Sequence, residues 1–250
     1  MKWNLKLPVA CIAFSVLAPL AQAKEVSIIF GLALPPYVIQ ENNSGFEVDI
    51  IREALAVKGH TLKPIYASFM MISQSLKDNK ADGAQRGNAE LAEGSGYFYA
   101  DNQTVSYQDV AITLKKNNLK IDSVNDLKDK KVVAFQGASK FLGADFGTAV
   151  ANNPNYSETA FELKKTQQLY ANGLQVFVGD VNIFKYYKAK VTGLDTTQEV
   201  VFHKIFSNKD IKNNHAVFKE KQIRDDFDAG LKQLKASGKY QEIIKKYVSD

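Results

Sequence analysis

Cysteine, tryptophan and histidine are nearly missing from this 250-residue chain, which holds 1 Cys, 1 Trp and 3 His. Cys11 and Trp3 both lie in the first 23 residues, a segment read below as a removable leader. The remainder then has neither residue, so no disulfide staples it and apolar packing must supply the core. His60, His203 and His215 are scattered, without the spacing of a metal site or a partnering serine or cysteine motif. Metal-centred and thiol chemistry therefore find no support, and no metal or cofactor is expected. Internal repeats and low-complexity tracts are absent too. Beyond residue 23 no apolar run is long enough to cross a bilayer.

What is present begins with the leader. Lys2 and Lys6 give a basic start, residues 7–20 an apolar stretch, and Ala21-Gln22-Ala23 a small-residue cleavage signal. The pattern predicts a signal peptide over residues 1–23, cut after Ala23. Cys11 lies inside the apolar stretch rather than after it, which argues against lipidation. Net charge then falls from +5 to +3, because Lys2 and Lys6 leave and no acid does. An excess of that size gives no reason to expect a nucleic-acid partner.

Strand and helix patterns alternate along the rest. Residues 26–32 form a short β-branched apolar run before Pro35-Pro36 and read as a buried strand. Ser44-Gly45-Phe46-Glu47 fits a capping box, and Ile50, Ile51, Ala54 and Leu55 make one apolar stripe after it. Further strands are expected at 62–66, 81–86, 110–114, 132–135 and 174–178. Helices are expected around Ile72 and Leu76, from Ser139 towards Val150, and over 181–189. The charged stretch 115–131 alternates acids with bases and lacks interleaved aromatics, so it reads as solvated surface. Near the end, Ile223, Phe227, Leu231 and Leu234 share a helix face, Gly238 breaks it, and Tyr240, Ile243, Ile244 and Tyr247 start another. Alternation of this kind predicts an α/β fold with parallel-rich sheets flanked by helices.

Three stretches, in this order, resemble the family 3 periplasmic solute-binding proteins of ABC transporters, amino-acid-binding type. They are Leu34-Pro35-Pro36-Tyr37 with Ser44 to Ile51, then Asp126 to Val132, then Leu231 to Tyr240. The resemblance implies a type II periplasmic-binding fold. Residues 24–114 and 203–250 would build lobe 1, 115–202 lobe 2, with a two-strand hinge between them. It also implies a periplasmic location, a monomer, capture of a small polar solute between the lobes, and delivery to an ABC permease. Two other readings stay open: docking on a sensory receptor, and a periplasmic dehydratase-like enzyme on the same fold, for which no catalytic constellation stands out.

Six residues are candidate ligand contacts. Asp180 follows a strand at its carboxyl end, where open α/β sheets bind ligands, and matches the family's ammonium-binding Asp; it also suits a helix N-cap. Gly137 and Ser139 lie in a turn before a helix, whose N–H groups can receive a carboxylate or phosphate, although Ser139 serves equally as a cap. Tyr37 and Phe69 match places where the family puts pocket aromatics. Arg86 is a departure, because the resemblance implies T-x-x-R further on, whereas residues 88–94 hold neither Thr nor Arg. Its guanidinium could fork onto a ligand carboxylate from a displaced position or pair with Glu90 or Glu93.

Overall fold

The computed structural model describes residues 23–32, 34–68, 71–87, 91, 96–207 and 215–248. The leader 1–22, Phe69 and most of the stretch 88–94 lie outside the described residues. The strands make two sheets of five. In the first, β1 (Glu25–Gly31) runs parallel to β2 (Thr61–Ala67) on one side and β3 (Gly83–Ala84) on the other. β4 (Phe98–Tyr99) and β10 (Val217–Phe218) complete it, with β10 antiparallel to both β3 and β4. The second sheet has β5 (Asp109–Leu114), β6 (Val132–Phe135), β7 (Tyr156–Thr159), β8 (Val176–Asp180) and β9 (Val200–His203), in the order β7-β6-β8-β5-β9. The strand expected at 110–114 was placed in lobe 1 by the sequence. It pairs instead inside the second sheet, between β8 and β9, so the chain passes between the sheets before Asp109 rather than after Leu114.

Helices cover both faces of each sheet because the strands are apolar on both. Val26, Ile28 and Phe30 pack on α1 (Phe46–Ala56) and α7 (Lys221–Ser237), through Ile50, Ile51, Ala54, Phe227 and Leu231. Ile29, between them in sequence, faces α2 (Ile72–Lys77) through Ile72 and Leu76. In the second sheet Val132 and Ala134 meet Phe146 and Val150 of α4 (Ala144–Ala151), whereas Val133 joins Leu169 of α5 (Glu162–Tyr170) and Phe184 of α6 (Val181–Lys188). Each of the larger side chains among these contributes roughly 1.5–3 kcal/mol on burial, and together they replace the missing disulfides. Gly238, at φ 80°, ends α7 in the left-handed conformation, and α8 (Lys239–Lys245) starts anew, as the Gly238 break anticipated.

The capping box expected at Ser44 does not form. Gly45 takes the cap position at φ 113°, and the first helical N–H groups go elsewhere: Phe46 donates to the Pro36 carbonyl and Glu47 to that of Tyr37. This return of α1 onto the loop after β1 leaves Ser44 bonded to Asn42 and sends the Glu47 side chain into the interior. A reciprocal box does occur at Ser123 and Asp126, within the charged stretch.

α1 and α7 cross at Gly230, where an added Cβ would lie 1.9 Å from the Ala54 carbonyl oxygen. Gly230→Ala should therefore force the two helices apart and cost about 1–3 kcal/mol or more. Exposed Gln233→Ala on the same helix should stay within about 0.5 kcal/mol of wild type. Urea denaturation of the two variants checks the contrast.

Candidate functional site

The parallel strands of both sheets carry their loops at the carboxyl ends, and there the two halves of the chain touch. Tyr37, in the loop after β1, is fully buried, its ring stacked on Tyr107 at 4.4 Å and tilted against Phe46 at 4.3 Å. Its hydroxyl donates to Asp180 Oδ2 at 2.9 Å and accepts from Asn182 Nδ2 at 3.2 Å. Asp180 ends β8 and caps α6, accepting from the N–H groups of Asn182 (2.8 Å) and Ile183 (3.0 Å) through Oδ1. Its Oδ2 also accepts from the Gln108 N–H at 2.7 Å. The capping alternative is thus realised, and the same carboxylate binds the first sheet's Tyr37. Burial raises the Asp180 carboxyl above the usual range, against the pull of these donors.

Arg86 follows β3 on the same side. Its guanidinium lies 4.7 Å from the centre of the Tyr107 ring and donates to the Tyr107 hydroxyl, which in turn donates to Glu47 Oε2 at 3.0 Å. Glu47 is 1% exposed; burial raises its carboxyl, while Arg86 and the Tyr107 hydroxyl act in the opposite sense. Arg86 therefore faces an internal carboxylate through Tyr107, and Glu90 and Glu93, its other expected partners, lie outside the described residues.

At the second sheet's edge, Gly137 stands at φ 87° before α3 (Ala138–Phe141). The turn's N–H groups do receive a carboxylate, and it belongs to the chain: Glu158 of β7 accepts from Gly137 N at 2.6 Å and Ser139 N at 2.9 Å, and from the Tyr156 hydroxyl at 2.7 Å. Partial burial opposes ionisation of Glu158, but these donors outweigh it and hold the carboxyl at about 2. The sequence offered Ser139 as a ligand contact or a cap. Its hydroxyl does not cap α3.

Behind Asp180, Asp109 sits directly opposite it in the antiparallel β5–β8 pair. Burial, then the Asp180 charge, pushes Asp109 up to about 7. Lys165, fully buried, donates to Glu162 (2.9 Å) and to the Val178 carbonyl (3.1 Å), and burial lowers its ammonium. Surface cavities of about 390 Å³, by Lys24, His60 and Asp226, and about 300 Å³, by Asp101 and Asp228, are not lined by Tyr37 or Asp180.

Of the six expected contacts, the structure brings Tyr37 and Asp180 together and sets Arg86 one ring away. Gly137 and Ser139 meet Glu158, and Phe69 lies outside the described residues. Tyr107, Glu47, Asn182 and Glu158 were not singled out as site residues. Tyr107 lies in a polar region of weak pattern, and Glu47 had been assigned to the helix cap.

Two α/β bodies meeting at the carboxyl ends of their strands define the two-lobed architecture of solute-binding proteins, and solved structures share it. One is the probable amino-acid ABC transporter extracellular-binding protein ytmK from Bacillus subtilis: TM-score 0.66, 14% identity, 92% of this chain and 100% of that one. A second is substrate-binding domain 2 of Lactococcus lactis GlnP in an open conformation: TM-score 0.62, 21% identity, 92% and 97% covered. A third is a histidine kinase sensor domain similar to periplasmic binding proteins: TM-score 0.61, 17% identity, 89% and 95% covered. At these identities the likeness is one of fold. Comparison with curated proteins gives no match. The profile of the bacterial extracellular solute-binding proteins, family 3, matches residues 26–250, and the chain belongs to that family.

The hydroxyl of Tyr37 gives a direct test of the contact between lobes. A hydrogen bond to a charged group contributes about 1.5–3 kcal/mol, so Tyr37→Phe should weaken the contact between the lobes by tenfold or more. Small-angle scattering of the unliganded protein should then show a larger radius of gyration than wild type.

Asp109 should show in the pH dependence of folding. Its folded-state pKa, about 7, lies above its unfolded value, so between about 4 and 7 the native state holds the extra proton. Stability conferred by that proton is complete below the unfolded value and is lost as pH rises to 7. Asp109→Asn should flatten this fall by up to about 1.4 kcal/mol per pH unit. Asp228 is also raised, to about 6, so the readout is the difference between variant and wild type in urea titrations from pH 4 to 8.

Proposed function

We infer that this protein captures a small polar solute, an amino acid or a related amine or carboxylate, between its two lobes and delivers it to an ABC importer in the periplasm. The observation that carries the reading is the hydrogen bond from Tyr37 in one lobe to Asp180 in the other. An acceptor carboxylate and stacked tyrosines at this contact between the lobes, with Arg86 alongside, support it. Lobe closure about a hinge is the usual response of such proteins to ligand. Residues 100–108 and 204–207, which follow β4 and β9, would belong to the hinge. Export rests on the leader at residues 1–23, with cleavage after Ala23. The likeness to a kinase sensor domain favours a second reading, in which the closed form docks on a receptor.

A thermal-shift and calorimetric screen against amino acids, amines and small carboxylates tests capture. A solute that binds only the folded state must raise Tm. Asp180→Ala should weaken a hit by at least tenfold, and Arg86→Ala should do so for a hit that carries a carboxylate. Asp180→Ala should also lose about 0.5–2 kcal/mol of stability with the α6 cap, so each variant is compared with its own unliganded form. If no solute moves Tm, or if Asp180→Ala binds as wild type does, the site is misplaced.

A further inference from the structure

The strands β6 and β8 run parallel with Ala134 opposite Val178. The turn at Gln136 and Gly137 after β6 and Asp180 at the end of β8 therefore leave the sheet at the same, carboxyl, end. The Gly137 and Ser139 N–H groups are the donors this edge would offer a solute's carboxylate, and Glu158 uses both. Each of its oxygens takes one N–H, and the Tyr156 hydroxyl adds a third donor. Asp180 lies at the same end and bonds Tyr37, whose ring stacks on Tyr107, the tyrosine that donates to Glu47. The Arg86 charge rests on the Tyr107 ring beside Glu47.

We propose that Glu158 is a specificity-determining residue, an internal carboxylate that fills the donor pair at the lobe 2 edge of the cleft. The solute held beside Asp180 is then a cationic amine that carries no carboxylate. This rests on the capture reading above and narrows it to one chemical class. A solute carboxylate approaching the turn meets an anion rather than two free N–H groups. An ammonium meets acceptors: it can take the place of the Tyr37 hydroxyl on Asp180, with the tyrosine rings to cover its methylenes or stack on its charge. Glu158 stays ionised down to about pH 2, so the exclusion holds at any pH the periplasm meets.

Calorimetry with matched pairs that differ by one carboxylate tests this: agmatine and arginine, cadaverine and lysine, putrescine and ornithine, histamine and histidine. At least one amine should bind wild-type protein ten times more tightly than its amino acid, which corresponds to about 1.4 kcal/mol. In Glu158→Ala the preference should fall by at least tenfold, because the vacated donors then accept the amino acid's carboxylate. Glu158→Gln keeps the volume and serves if the alanine variant does not fold; the wild-type comparison stands without either. An amino acid that binds wild type as tightly as its amine overturns the proposal and leaves capture intact. So does a preference that survives in Glu158→Ala. Binding of no member of any pair also overturns the amine class, and the wider screen then decides capture separately.

Discussion

The carboxylate of Asp180 is the group on which the arrangement of this protein depends. A buried anion is costly unless donors replace the water it has lost. Asp180 obtains them from three places: the Asn182 and Ile183 N–H groups at the start of α6, the Gln108 N–H before β5, and the Tyr37 hydroxyl of the other lobe. One side chain thereby fixes where a helix begins, where the chain enters the second sheet, and how the lobes meet. Each oxygen accepts two bonds, so the usual lone-pair sites are taken. Three of these donors are backbone groups close to Asp180 along β5, β8 and α6, and only the Tyr37 hydroxyl comes from the first sheet's half of the chain. With the Asn182 amide, which donates to the same hydroxyl, it makes the contact that any parting of the lobes would have to break.

Much of the fold was legible in the sequence because periodic burial leaves a periodic trace. Ile50, Ile51, Ala54 and Leu55 on α1 and Ile223, Phe227, Leu231 and Leu234 on α7 are all buried as their spacing implied. β7 and α5 went unread because their burial is not purely apolar. Lys165 and Thr166 are fully buried in α5, and a lysine there erases the stripe that a pattern search needs. The two serine caps show the same limit. Ser44 had the motif but lost the role to Gly45, since the α1 N–H groups return to Pro36 and Tyr37 across a tight turn. Ser123 holds the reciprocal box inside a stretch that reads as mere charged surface.

The site was legible in part, for a related reason. Asp180 was found because one local fact, an acid between a strand and a helix, marks both a cap and a binding edge. Tyr107, Glu47 and Glu158 matter through partners 19 to 60 residues away, which no local pattern encodes. Glu158 also shows that a turn can present donors as expected and have them taken by the chain itself, because another strand of the same sheet supplies the anion. Motif reading locates the donors. It cannot say whether they are spent.

The acids of the cleft differ in what they are given to compensate burial, and this sets how each can act. Glu158 collects three donors at modest burial and is held at about 2. Asp109, deeper and beside Asp180, is pushed up to about 7. The first is an immovable charge suited to excluding anions; the second gains or loses a proton as its surroundings change. On the capture reading, a solute entering beside Asp180 would exchange with bonds the protein already makes to itself, so the binding free energy would be the difference between two satisfied states. Such an exchange rewards a ligand only where its groups match those displaced, and leaves any mismatch as an unpaired buried group. Discrimination in a self-satisfied cleft therefore comes more from what a wrong solute leaves unpaired than from extra contacts to the right one.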